Sequence, residues 1–151
     1  MLIVTSVLAV AVTLMQTPPA PPANQACAAL TPAQVASLIG AGARTMPVTA
    51  SPTGSTCMFQ NNDKVITVLM ASNSTADAAQ RLFDAKKRIA SGADVPGWGV
   101  PAYAGAIPTV ATVGVLMKQT FTEVKVQDRT QKPEAIAAHL QAVMKDVAGR
   151  K

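Results

Sequence analysis

Charged residues are scarce in this sequence. They make up 14% of its 151 residues, and none occurs before Arg44. The chain also has one histidine, two cysteines and only 3% aromatic residues. One histidine and two distant cysteines lack zinc-ligand spacing, and too few aromatic rings are present for the stacking platform of a nucleic-acid binder. We therefore expect no metal, no cofactor and no nucleic-acid partner.

The motifs of the commoner enzyme classes are also missing. The sequence has no Gly-x-Ser-x-Gly, phosphate-binding loop, dinucleotide fingerprint or His-Glu-x-x-His. The only histidine, His139, has no Ser, Cys or Asp three or four positions away, so no helical neighbour could share acid–base work with it. We therefore expect no catalytic residue and a protein that is not an enzyme. The alternative is a small extracytoplasmic hydrolase whose site is assembled from residues distant in sequence.

The amino-terminal segment is apolar and then rich in proline. Residues 2–15 contain no charge, but this run is shorter than the about 20 residues that a membrane-spanning helix needs. It is typical of a secretory signal peptide with small-residue cleavage points after Ala20, Ala23 or Ala26. We interpret residues 1–26 as a signal peptide and Pro/Ala-rich linker, and residues 27–151 as a single domain. The domain is then periplasmic or secreted, with no transmembrane domain in the mature chain.

The two cysteines agree with export. Cys27 and Cys57 make an even count, which outside the cytosol indicates one disulfide bond. The alternative is that Cys27 is a lipid-modified first residue. Asn24 and Gln25 stand where a lipobox has an aliphatic and a small residue, so we favour the disulfide.

Helix and strand signals alternate along the rest of the chain. Thr31, Pro32, Gln34 and Gly40 are the cap, first-turn and stop residues of a helix. Two hairpins and two more helices follow. The hairpins are predicted over 56–72 and 109–128, and the helices over 74–92 and 132–151.

This order predicts an α+β fold, αββαββα. We expect an antiparallel sheet of about four strands in two hairpins, because each pair of β-rich runs is joined by a short turn. The helices between the hairpins are expected to pack mainly on one face of that sheet.

Three stretches resemble a family of small bacterial exported or lipid-anchored domains of unknown function. They are "CAALTPAQVASLIG" at 27–40, "GSTCMF" at 54–59 and "VPGWGVPAYAG" at 95–105, followed by a valine-rich strand that ends in Lys118. The family loop has an Asp where this chain has Val100 and Pro101. The resemblance implies an exported domain with a sheet-and-helix fold, and it implies no catalytic residue.

Two groups of residues are candidates for recognition. Trp98 and Tyr103 lie in the glycine- and proline-rich stretch 95–105, which contains no acid, base or nucleophile. We interpret that stretch as a rigid corner whose rings are either packed or displayed as anchors. The basic residues Arg81, Lys86, Lys87 and Arg88 lie on the second predicted helix and could face an anionic envelope polymer or an envelope protein. The function expected is that of a non-catalytic binding or accessory domain in the cell envelope.

Overall fold

The computed structural model describes residues 24–149, which form a seven-stranded antiparallel sheet and four helices. The strands lie in the order β1-β2-β3-β7-β6-β5-β4. The helices are α1 (Gln25–Ala28), α2 (Pro32–Ile39), α3 (Ala76–Ile89) and α4 (Pro133–Gly149). The strands are β1 (Arg44–Ser51), β2 (Gly54–Asn61), β3 (Lys64–Ser72), β4 (Ala93–Asp94), β5 (Ala102–Ile107), β6 (Val110–Met117) and β7 (Thr120–Gln127). The predicted signal peptide falls largely on residues 1–23, outside the described residues.

The expected four-stranded sheet is wrong, because three further strands flank the two hairpins. β1 lies in a polar stretch where nearly every side chain is exposed, so no apolar alternation marks it. β4 has two residues, and β5 is made mostly of alanine and glycine beside the predicted corner. The fold is α+β, but its sheet is nearly twice as wide as expected.

Helix α2 begins and ends as the sequence predicts. Thr31 Oγ1 accepts a hydrogen bond from the Gln34 backbone N–H, and Gln34 Oε1 accepts one from the Thr31 backbone N–H. Pro32 occupies the first turn, and Gly40 follows the helix with a positive φ of 91°. The capping box satisfies two backbone donors that the first turn of a helix leaves free.

One face of the sheet is covered by α1, α2 and α4. Alternate residues of each strand point to this face. They form a core that includes Ile66, Val113 and Val124 from the strands and Leu140 and Met144 from α4. This packing continues to the start of the described chain, where Ala26 is fully buried. Asn24 donates side-chain hydrogen bonds of 2.9 Å to the carbonyls of both Thr49 and Thr56.

Helix α3 packs on the opposite face and covers only half of it. It contacts β5, β6 and β7 through a second core of six buried residues: Ala79, Phe83, Ala90, Tyr103, Leu116 and Phe121. On this side of β1–β3, Leu69 packs against the edge of the second core, and the other apolar side chains belong to neither core of the described chain. We call the partly exposed side chains there the open face: Met46, Thr56, Met58, Val65, Thr67 and Leu69.

The predicted disulfide is confirmed. Cys27 and Cys57 are bonded, with their Cα atoms 5.1 Å apart. The bond joins α1 to β2, and Cys57 is fully buried. Because the thiol of Cys27 is used in this bond, it is not free to carry a lipid. Within residues 24–149, no helix is long and apolar enough to cross a membrane.

Replacing both cysteines by serine should lower the free energy of unfolding by about 3–4 kcal/mol, because the bond closes a loop in the unfolded chain. Urea unfolding of the oxidised protein and of the double variant measures the difference. Wild-type protein under reducing conditions is the control and should show the same loss. A loss below about 1 kcal/mol would contradict a stabilising role for the bond.

Candidate functional site

Three of the four basic residues of α3 share one surface, because Arg81, Lys87 and Arg88 line a shallow concavity, whereas Lys86 is turned away from it. Lys87 Nζ lies 2.6 Å from Asp94 Oδ1 of β4, whereas Lys86 Nζ lies 3.8 Å from Glu123 Oε1 of β7. Arg81 and Arg88 are exposed. Lys86, Lys87 and Arg88 also occupy the last turn of α3, where cations interact favourably with the helix dipole. An anion-binding surface on α3 would therefore consist of Arg81, Lys87 and Arg88 without Lys86, and the carboxylates of Asp84 and Asp94 lie next to these cations.

Tyr103 lies inside the protein. Its side chain is 0% exposed, and its hydroxyl donates a 2.6 Å hydrogen bond to Glu123 Oε2. Burial, together with the hydrogen bond and the charge of Glu123, raises the pKa of Tyr103 well above its ordinary value. Tyr103 therefore stays neutral and acts as a donor, and it cannot touch a partner in this conformation.

The ring of Tyr103 packs between α3 and the sheet. It meets Phe83 edge-on at a centroid distance of 5.2 Å, and Phe83 meets Phe121 in the same way at 6.1 Å. Gly114 on β6 gives the ring its space, because a methyl group there would overlap the ring atoms of Tyr103. These contacts fix α3 over β5–β7.

Glu123 is a buried carboxylate that sequence reasoning missed. It is 2% exposed, and besides Tyr103 it faces Lys125 Nζ at 3.3 Å and Lys86 Nζ at 3.8 Å. Both lysines are partly exposed. Two ammonium groups thus surround one carboxylate, which leaves a net positive charge where α3 meets the open face. The alternation Phe121, Glu123, Lys125 along β7 is the sequence signal that these residues share one side of the sheet.

The open face begins beside Glu123 and its two lysines, Lys86 and Lys125. Met46, Met58, Thr67 and Lys125 are aligned across β1, β2, β3 and β7 in one row of the antiparallel register. Thr56, Leu69 and Glu123 form the next row. Directly opposed residues of antiparallel strands point to the same side, so the two rows form one surface.

One side of helix α3 borders this surface. Leu82, Lys86 and Ile89 follow one another at four- and three-residue spacing, so they share one side of the helix. Lys86 reaches Glu123, which shows that this side is turned towards the open face. Ile89 is 70% exposed, whereas its neighbour Ala90 is buried.

Trp98 lies in the connection between β4 and β5. Its ring is partly buried and packs against the core on the α4 side of the sheet. Gly97 and Gly99 adopt φ values of 82° and 72°, which residues with a side chain rarely adopt. The chain therefore turns at Gly97 and Gly99, and the rigid corner stays an interpretation. A recognition role for Trp98 stays a prediction.

Asp128 is the second buried carboxylate, and hydrogen bonds and one lysine hold it in place. It follows β7 and accepts hydrogen bonds from the Thr130 backbone N–H at 2.7 Å, from Thr130 Oγ1 at 2.6 Å and from Gln131 Nε2 at 3.1 Å. Lys64 Nζ lies 2.9 Å away. Burial by itself would raise the pKa of Asp128, but the hydrogen bonds from Thr130 and Lys64 and the lysine charge outweigh it and lower the pKa to about 2.

The described residues show no grouping that would hold a metal ion. Across 24–149, no three His, Cys, Asp or Glu side chains are clustered for one. His139 is exposed on α4.

The chain matches no protein-family model and no curated protein. The resemblance to small exported bacterial domains therefore remains an expectation from the residues alone.

Replacing Tyr103 by Phe should lower the free energy of unfolding by about 1–3 kcal/mol, because Glu123 would lose a hydrogen-bond donor inside the protein. Urea unfolding at neutral pH measures the loss. The same substitution in a Glu123→Gln background is the control and should cost less, since the acceptor charge is then gone. Equal losses in the two backgrounds would show that the hydroxyl does not act through the carboxylate.

The stability of the protein should fall as the pH drops from about 5 to about 2, in part because Asp128 is protonated there. Its pKa is about 2 in the folded protein against an ordinary 3.8, so the carboxylate stabilises the fold fully above about pH 5. Asp128→Asn should lower stability at neutral pH and flatten this dependence. Urea unfolding across the pH range measures both curves, and parallel curves would contradict the assignment.

Proposed function

We propose that this protein is an exported, non-catalytic binding domain of the cell envelope, and that the open face is its binding surface. The observation that carries the proposal is the half-covered sheet. On one side of the sheet, α3 packs over β5–β7, and Leu69 of β3 packs against the edge of this second core. Met46, Met58 and Val65 are partly exposed and pack against neither core of the described chain. Apolar side chains grouped in this way are typical of a protein interaction site.

The buried ionisable groups support a non-catalytic role. Glu123 and Asp128 are the buried carboxylates, and each is held by neighbouring donors and lysines. A catalytic acid or base must come within hydrogen-bond reach of its substrate. With Tyr103 and Glu123 0% and 2% exposed, this pair serves the packing of α3 instead.

The disulfide supports an extracytoplasmic location. Structural disulfides persist in oxidising compartments and are rare where thiols are kept reduced. The Cys27–Cys57 bond lies directly after the segment that resembles a signal peptide. Together they favour a periplasmic or secreted protein whose partner is another envelope component.

The open face has better support than the other candidate surfaces. Trp98 packs on the core, Tyr103 is buried, and two of the four basic residues of α3 form ion pairs with Asp94 and Glu123. By contrast, Met46, Met58 and Val65 of the open face pack against neither core of the described chain. We therefore assign binding to it rather than to the connection at Trp98 or to the outer side of α3.

A photo-crosslinking amino acid at Thr67 tests the proposal in the cells that make the protein. Thr67 lies in the middle of the open face, so the probe should yield a crosslinked species on a gel that the same probe at Arg81 does not. A second substitution, Met58→Glu, should abolish the crosslink by placing a charge in the apolar contact. Equal crosslinking from Thr67 and Arg81, or none from Thr67, would contradict the proposal.

A further inference from the structure

We propose that the segment bound on the open face is an amphipathic α-helix that carries carboxylates along one flank. This inference rests on the open face being the binding surface and adds the chemistry of its partner. Three features of the face specify it: its width, its apolar side chains and the sign of its charge.

The width of the open face matches one helix. On the same side of the sheet, the single helix α3 covers the three strands β5, β6 and β7. The uncovered part also has three strands, whose outer axes are about 10 Å apart, and a helix with its side chains is about 10–12 Å across. A second helix lying beside α3 would therefore complete the layer that α3 begins.

The side chains of the open face suit the apolar stripe of such a helix. Met46 and Met58 are directly opposed on β1 and β2, and Leu69 lies in the neighbouring row on β3. Methionine side chains adapt their shape to a partner, which makes them common at binding surfaces. Ile89 of α3 is 70% exposed on the side of the helix that borders the open face. A bound helix would therefore contact apolar side chains both of the sheet and of α3.

The charge of the face selects a partner with carboxylates. Lys86 and Lys125 share the single carboxylate of Glu123, and exposed Arg44 lies at the start of β1. No Asp or Glu occurs between Arg44 and Asn61, the range that holds β1 and β2. Carboxylates on the flank of the bound helix that faces α3 would lie close to Lys86 and Lys125. Opposite charges placed in this way steer and orient binding.

Other occupants fit this surface less well. Two copies joined by their open faces would each present Lys86, Lys125 and Arg44 to a face of the same charge, and like charges across an interface are costly. Addition of a strand to the edge of β1 is hindered by Pro47 and by the irregular register between Pro47 and Thr49, where Val48 has no partner on β2. A flat bilayer fits poorly, because α3, which is about 10–12 Å across with its side chains, projects from the sheet beside Lys86 and Lys125.

The test uses two synthetic helical peptides of about 18 residues that share one leucine stripe. One carries glutamates on both flanks and the other carries lysines at the same positions. Each is titrated into the isotope-labelled full chain, and amide shifts are followed by NMR. The glutamate peptide should shift the amides of Met58, Thr67, Leu69 and Ile89 and bind at least about tenfold more tightly than the lysine peptide.

Matched charge variants locate the interaction. Lys125→Glu should weaken binding of the glutamate peptide by about tenfold or more, whereas Arg81→Glu, the same charge change on the exposed outer side of α3, should change it less than about twofold. Lys125→Gln is a second variant that leaves Glu123 without a new like charge beside it, and it should weaken binding to a smaller extent. Equal losses for Lys125→Glu and Arg81→Glu would overturn the inference.

The outcomes separate this inference from the proposed function. If both peptides shift the open-face amides with equal affinity, the face binds helices without a preference for acidic ones, and only the inference is overturned. If neither peptide shifts these amides while the crosslink at Thr67 forms, the partner is not a helix of this kind, and again only the inference falls. If the crosslink also fails, both proposals fall.

Discussion

The burial of Tyr103 between α3 and the sheet is the constraint on which the rest of this structure depends. The ring fills the space above Gly114, and its hydroxyl is thereby placed inside the protein, where a polar group needs a partner. Glu123 supplies that partner and is itself buried, so its charge needs cations nearby. Lys86 and Lys125 provide them and stay partly exposed. The burial of Tyr103 thus determines both the position of α3 and the positive charge of Lys86 and Lys125 next to the open face.

Local signals in the sequence predicted those elements whose caps and periodicity are strong. The capping box at Thr31 and Gln34, the β6–β7 hairpin and the disulfide were expected and are present. β1 and β5 were not expected for two different reasons. β1 is an edge strand with exposed side chains, and β5 is built from small residues beside glycine and proline. In both, pairing with the neighbouring strand decides the conformation, and such pairing leaves little periodicity in a single sequence.

The candidate site was less accessible to sequence reasoning than the fold. Tyr103 was named as a candidate for recognition, but its partner Glu123 is 20 residues away and lies two strands from it in the sheet. Lysines 86 and 87 are adjacent in sequence, yet they turn to opposite sides of α3, where Glu123 and Asp94 receive them. The open face could not be foreseen either, because it depends on α3 packing over β5–β7 rather than over β2 and β3.

The last strand of the chain occupies the centre of the sheet. β7 lies between β3 and β6, and its residues Thr120 and Gln127 pair with Ser72 and Val65, which come much earlier in the sequence. Until β7 is available, β1–β3 and β4–β6 are two separate three-stranded halves, each with an unpaired inner edge. The domain therefore cannot be completed progressively from its amino terminus. The whole sheet can form only after β7, near the end of the chain, is available. A chain that stops before Thr120 lacks the central strand that joins the two halves of the sheet.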